Sequence, residues 1–119
     1  MVSASNDDPE VYFSVSTIQI KPGKAEEVQN ALNEVAADTF KNEPGALIYR
    51  SWKVEGKDEF VCIEKFASRE AYKIHTTSDH VKRWADKYYF SGEYDLFEGG
   101  FIFHPLNSEG LPAGGFERT

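Results

Sequence analysis

Three segments of the chain, 11–20, 46–54 and 59–66, read as β-strands that are apolar on both faces. In the first, Val11, Phe13 and Val15 alternate with Tyr12, Ser14 and Ser16, and the phase then drifts toward Ile18 and Ile20. In the second, Leu47 and Tyr49 oppose Ile48, Trp52 and Val54. In the third, Phe60, Cys62, Glu64 and Phe66 oppose Val61 and Ile63. Strand side chains alternate between faces, so a sheet with one wet face alternates cleanly between apolar and polar. These strands do not. The helical segments suffice to cover one face, and the second face is expected to meet another subunit.

The segments between the strands are helical. Lys21-Pro22-Gly23 is turn chemistry, and a helix is expected over 24–41. Val28, Leu32, Val35 and Thr39 form its apolar ridge, with Ala31, Ala36 and Phe40 at the edges. Glu26 and Glu27 near its start and Lys41 at its end suit the helix dipole. Glu43-Pro44-Gly45 stops it, and Glu55-Gly56-Lys57-Asp58 reads as a hairpin connection. Ser68 is a plausible N-cap for a short helix with Ala71, Ile74 and His75 on one face. Thr77 or Ser78 can cap a second helix, with Asp79 in its first turn. Val81, Trp84, Ala85 and Tyr88 form its apolar stripe, and His80 and Trp84 are neighbours at i, i+4. A last strand is expected over 96–103, where Gly99-Gly100 suggests a bulge. The order β, α, β, β, α(α), β is the split βαβ order of a ferredoxin-like α+β fold with an antiparallel sheet.

A chain of 119 residues fits one domain. Residues 1–10 are polar, acidic and expected to be disordered, 11–103 form the domain, and 104–119 form an irregular tail rich in Gly and Pro. A net charge of −7 argues against nucleic acid and anionic membrane surfaces. The single cysteine, Cys62, allows no intrachain disulfide and suits a reducing, cytoplasmic interior. No apolar run is long enough to span a bilayer, and the N-terminus lacks the basic and apolar regions of a secretory signal.

The stretch 64–88 holds two of the three histidines beside flat aromatic surface, which is what an aromatic substrate pocket with a proton-transfer group needs. Its spelling also carries a family resemblance. Glu64, Phe66, Ser68, Ala71, His75, Ser78 and His80 give Glu-x-aromatic, Ser-x-x-Ala-x-x-x-His and Ser-x-His in order. With "KPGKAEEV" and "EPGALIY" upstream, this resembles the antibiotic biosynthesis monooxygenase family across roughly residues 11–103. The resemblance implies two ferredoxin-like subunits packed sheet on sheet as a dimeric α+β barrel. It also implies oxygenation of a quinol, anthrone or related phenolic polyketide by O2, without metal or flavin.

Such chemistry needs a base, a dry aromatic slot and donors for a developing oxyanion. His75, on the apolar face of its helix, is the first candidate base and matches the family's histidine. His80 is the second. Glu64 can orient a histidine or share its proton. The bland alternatives are a half-buried His75 bonded to a carbonyl or Glu64, a solvated His80, and a Glu64 paired with Lys65, Lys82 or Arg83. Tyr49, Trp52, Phe66, Trp84 and Tyr88 can wall a pocket or simply fill the core, and Ser14 and Ser16 can donate to an oxyanion. His104 reads as structural or exposed. A histidine base sets activity falling as pH drops through about 6.5, and a Glu64 partner would raise that midpoint.

Other chemistries fit less well. His75 and His80 lack HxH or HExxH spacing, so no metal site is expected, and no glycine-rich phosphate loop is present. Cys62 reads as a buried thiol. A haem-degrading relative of the fold uses a first-strand asparagine, which this chain lacks. Two rivals stand beside the oxygenase: an isomerase or hydrolase of a small carbonyl or phosphorylated metabolite, and a non-catalytic ligand-binding or stress-response barrel. Two convergent basic side chains in the pocket would favour the former, and a pocket filled by its own side chains the latter.

Overall fold

The structure is a computed structural model and describes residues 11–106, 114–116 and 118. Its elements are β1 (Tyr12–Ile20), α1 (Ala25–Asn42), β2 (Ala46–Lys53), β3 (Glu59–Phe66), α2 (Arg69–Thr76), α3 (Asp79–Ala85) and β4 (Phe97–Leu106). One π-type turn, Asp86–Phe90, prolongs α3. The four strands form one sheet in the order β2-β3-β1-β4, antiparallel throughout. This is the ferredoxin-like arrangement that the element order implies.

The helices cover one face of the sheet. Val28, Ala31, Leu32 and Val35 of α1 pack on Ile18, Ile20 and Phe60, with Trp84 and Leu96 closing the cluster. Each buried Val, Leu, Ile or Phe among them is worth roughly 1.5–3 kcal/mol of burial. Because Ile18 and Ile20 face α1, the period of two carries Ser14 and Ser16 inward as well; both are fully buried. Phe13 and Val15 therefore lie on the outer face, half-buried, with Val61 and Ile63 beside them. Trp52, Ile102 and Leu106 add exposed apolar surface to that face.

Several expectations shift in detail. Ser68 caps α2 by accepting the Ala71 N–H at 3.0 Å. Ile74, expected on the inner face of α2, is exposed, and Tyr72 takes the inward position instead. Phe40 at the end of α1 is 86% exposed. β4 runs to Leu106, so His104 and Pro105, expected in the tail, pair with Val15 and Ser14 on β1. The bulge falls where Gly99 takes φ +78°, between the pairs Thr17–Ile102 and Gln19–Glu98. The expected disordered segment 1–10 and residues 107–113 of the tail lie outside the described residues.

Candidate active site

Between the sheet and the three helices lies a pocket of about 360 Å³. Its apolar walls come from Leu32, Val35 and Ala36 on α1 and Val81 and Trp84 on α3. Tyr49, Tyr72, Phe101 and Phe103 add aromatic surface. The polar lining includes Ser16, Ser51, Glu64 and His75. A largely apolar pocket with a few converging polar groups is the usual form of a small-molecule site.

His75 is the centre of the polar cluster. It sits in the last turn of α2, buried, with Tyr49 and Phe66 ring centroids at 5.1 and 5.2 Å. Its Nδ1 lies 2.9 Å from Glu43 Oε2 and its Nε2 lies 3.7 Å from Glu64 Oε1. His80, in the first turn of α3, places Nε2 2.5 Å from the same Glu43 Oε2. Ser78 ties the two helices together, its hydroxyl donating to the His75 carbonyl at 2.7 Å. An ionised carboxylate only accepts, so both imidazoles serve as its donors.

Glu43 was not singled out in the sequence, where it reads as part of a helix stop. It is the C-cap of α1, and its side chain is 4% exposed. One local signal was present: a carboxylate at a helix C-terminus faces the negative end of the dipole, where a basic residue is favoured. Such a residue, once buried, needs donors from elsewhere in the fold.

Burial sets the electrostatics. Desolvation first, and the Glu43 charge second, push the Glu64 carboxyl up to about 7. Desolvation lowers the His75 imidazole below its ordinary value, against the opposing pull of Glu43 and with His80 adding to the lowering. The expected upward shift of His75 by a carboxylate neighbour is thus reversed, because removing the ring from water outweighs the attraction. Burial likewise pushes the Cys62 thiol up to about 12, which leaves it a poor nucleophile.

The remaining candidates divide. Tyr49, Trp84 and Ser16 line the pocket with Glu64 and His75. Trp84 is fixed there by its indole N–H, which donates to the Ala31 carbonyl at 2.7 Å. The Ser16 hydroxyl is buried opposite Cys62 in the β1–β3 ladder and meets no hydrogen-bond partner besides that thiol among the described residues. Phe66 backs His75 from beneath, and Ser14 is buried on β1 level with Glu64; neither lines the pocket. Tyr88 packs on Trp84 and donates to Glu34 at 3.3 Å, away from the lining. Trp52 pairs with Val61 on the outer face, 46% exposed, under the Arg50 guanidinium. His80 stands behind His75 and does not line the pocket. Lys82 and Arg83 are exposed on α3, and neither they nor Lys65 line it; His104 is exposed.

Glu43, His75 and His80 are side chains of ligating type whose donor atoms lie within 4.8 Å of one another, so the fold assembles a cluster that the sequence spacing did not suggest. In the structure these atoms satisfy one another by hydrogen bonds. Among the described residues, no helix is long and apolar enough to cross a membrane.

Comparison with known proteins bears on the family and the fold. A family model described as antibiotic biosynthesis monooxygenase matches residues 11–87. A proposed antibiotic biosynthesis monooxygenase from Caulobacter crescentus superposes with a TM-score of 0.71 at 24% identity, over 83% of this chain and 90% of that one. A protein of Pseudomonas aeruginosa gives a TM-score of 0.66 at 22% identity, over 82% and 92% of the two chains. A second proposed antibiotic biosynthesis monooxygenase, from Bacteroides thetaiotaomicron, gives 0.64 at 21% identity, over 91% of each chain. At such identities these structures share the fold. No curated protein matches at a significant level.

Proposed function

The chain belongs to the antibiotic biosynthesis monooxygenase family, and from that premise we propose that it oxygenates a phenolic or polycyclic aromatic, such as a quinol or anthrone, with O2 and a histidine base in place of a metal or flavin. The observation that carries the reading is His75, a buried imidazole whose Nε2 faces Glu64 at the wall of an aromatic-lined pocket.

An anthrone carries an acidic ring-carbon proton within reach of such a base. His75 Nε2 takes the acidic proton, and the substrate anion passes one electron to O2, leaving a substrate radical and superoxide. Their recombination forms a C–O bond. The peroxide takes a proton from the imidazolium or from Glu64, which with a pKa of about 7 is partly protonated at neutral pH. Loss of the remaining C–H proton breaks the O–O bond, so one oxygen stays as a quinone carbonyl and the other leaves as water. The substrate loses two hydrogens and gains one oxygen. Tyr49, Tyr72, Trp84 and Phe101 supply the flat surface, and the buried Ser16 hydroxyl, whose neighbour is the weakly bonding Cys62 thiol, offers a donor for the oxyanion.

The rivals gain less support. A phosphorylated substrate would need converging cations; Lys65, Lys82 and Arg83 stay outside the pocket, and Arg50, which borders it, turns its guanidinium over Trp52 on the outer face. A binding-only barrel with its cavity filled by its own side chains does not match a pocket of this volume. The protein is taken to act as a homodimer in the cytoplasm, a second copy covering the outer sheet face.

The test is O2 consumption with an anthrone or hydroquinone under saturating air. One O2 consumed per quinone, with one atom of labelled oxygen in the product and the other in water, is expected. Absence of turnover across anthrones and hydroquinones overturns the reading.

A further inference from the structure

A histidine base alone does not explain why a carboxylate and a second histidine are buried behind it. We infer that Glu43 and His80 are a positioning pair that holds His75 in the single tautomer with Nδ1 protonated, leaving Nε2 bare toward the pocket. This rests on the reading of His75 as the base, and it makes His80 a buttress rather than an alternative base.

The geometry carries the assignment. Glu43 Oε1 and Oε2 lie 3.2 and 2.9 Å from His75 Nδ1, so both carboxylate oxygens are near the one ring nitrogen. A carboxylate accepts, which places the proton on Nδ1; a neutral ring then carries its lone pair on Nε2. Nε2 is the nitrogen 3.7 Å from Glu64, a residue of the pocket lining. A lone Glu–His bond would leave the carboxylate free to turn. His80 prevents this by directing Nε2 to Glu43 Oε2, and its own position is bracketed by Ser78 Oγ at 3.3 Å. His80 has thereby committed that nitrogen behind the pocket.

The backbone sets the distance between carboxylate and ring. Gly45, two residues after Glu43, packs so closely on α2 that a Cβ there would stand 2.8 Å from the Ala71 Cβ. Ala71 lies one turn below His75 on the same helix. The Gly45 carbonyl also accepts the Ala67 N–H at 2.8 Å, just ahead of the α2 cap. The loop that carries Glu43 is therefore seated against the helix that carries His75. The titratable groups facing the His75 ring are Glu43 from α1, Tyr49 from β2, Glu64 from β3 and His80 from α3.

The experiment separates this proposal from the oxygenase reading. Long-range 15N–1H correlation on the full-length chain without substrate, at a pH where His75 is neutral, reads its tautomer directly. A protonated Nδ1 and a bare Nε2 are expected. A protonated Nε2 in the wild type overturns the proposal, whatever the protein does to an anthrone. Glu43→Met, similar in length but without an oxygen acceptor, is expected to lose the tautomer preference; an unchanged ring signature counts against a positioning role. With a turned-over substrate, Glu43→Met lowers kcat with little change in KM, roughly 10²- to 10⁴-fold, as loss of a base's orienting carboxylate does elsewhere. His80→Gln keeps an N–H donor but cannot act as a base. It is expected to retain more of kcat than His80→Ala, and equal losses in the two would mark His80 as the base and sink the assignment.

Discussion

Glu43 and His75 are 32 residues apart in the chain, yet Glu43 Oε2 and His75 Nδ1 stand 2.9 Å apart with both side chains almost wholly buried. The carboxylate comes from the C-terminal end of α1, where the dipole disfavours it, and the imidazoles of α2 and α3 provide its donors. Burying one without the others would leave an unpaired charge costing several kcal/mol. The contact therefore links the packing of three helices to the state of one ring nitrogen.

His75→Ala should lower kcat/KM on an oxidisable anthrone or hydroquinone by roughly 10²- to 10⁴-fold. The helical signal in circular dichroism should survive, because His80 still donates to Glu43 and the pocket beside the ring can take up its loss. A variant that is folded and as fast as the wild type would remove this histidine from the chemistry.

The pH–rate profile should keep its acid limb below the ordinary histidine value near 6.5, since desolvation lowers His75. The base is neutral, and so competent, above that lowered pKa and is lost below it. An acid limb centred well above 6.5 would show that the carboxylate neighbours outweigh burial.

Glu64 gives an independent stability signature. Its folded-state carboxyl, raised to about 7, holds a proton more tightly than the unfolded chain, where the ordinary value is 4.5. Stability from this group is therefore full at low pH and falls as pH rises from about 4.5 to about 7. His75 works in the opposite sense, so the informative quantity is the difference between wild type and Glu64→Gln. Denaturant unfolding at fixed protein concentration should show Glu64→Gln gaining relative stability between pH 5 and 8, by about 3 kcal/mol at most. A difference that stays flat with pH would contradict the raised carboxyl.

Gly45→Ala should cost roughly 1–3 kcal/mol, because its new methyl would meet the Ala71 methyl at 2.8 Å. Adding Ala71→Gly should recover part of that loss despite glycine's own helix penalty of about 1 kcal/mol. A double-mutant cycle reads the coupling; simple additivity would mean that the two positions do not touch.

Sedimentation at micromolar concentration should give a homodimer rather than a 13.5 kDa monomer. The outer sheet face, with Trp52, Ile102 and Leu106 exposed, is the surface to be covered. An obligate interface there should bury more than about 2,000 Å² in total. Ile102→Glu should shift the equilibrium toward monomer, and a wild-type monomer would remove the interface.

The order of elements was legible in the chain alone. Strand alternation, the α1 ridge and the Ser68 cap are set by neighbours a few residues apart, and β3 folds with Phe60, Cys62, Glu64 and Phe66 inward as its pattern states. His75 and Trp84 were likewise legible, because each stands on the apolar side of a short helix. Local pattern failed on α2, where Tyr72 rather than Ile74 took the inward position. On the strands it separated the two faces correctly, with Tyr49 opposite Trp52 and Ser14 and Ser16 in phase with Ile18 and Ile20, but it could not say that the Trp52 face would lie away from the pocket.

Glu43 was decided by the tertiary structure. In the chain it is an acidic residue before Pro-Gly, and nothing within a few positions names its partners. Those partners lie 32 and 37 residues downstream. They meet it only when α1, α2 and α3 pack on one sheet face, with Gly45 against Ala71 setting the separation. Periodicity reports which side of an element is buried. Which buried polar groups then satisfy one another depends on how the elements are stacked, and the high cost of an unpaired buried charge makes that pairing specific.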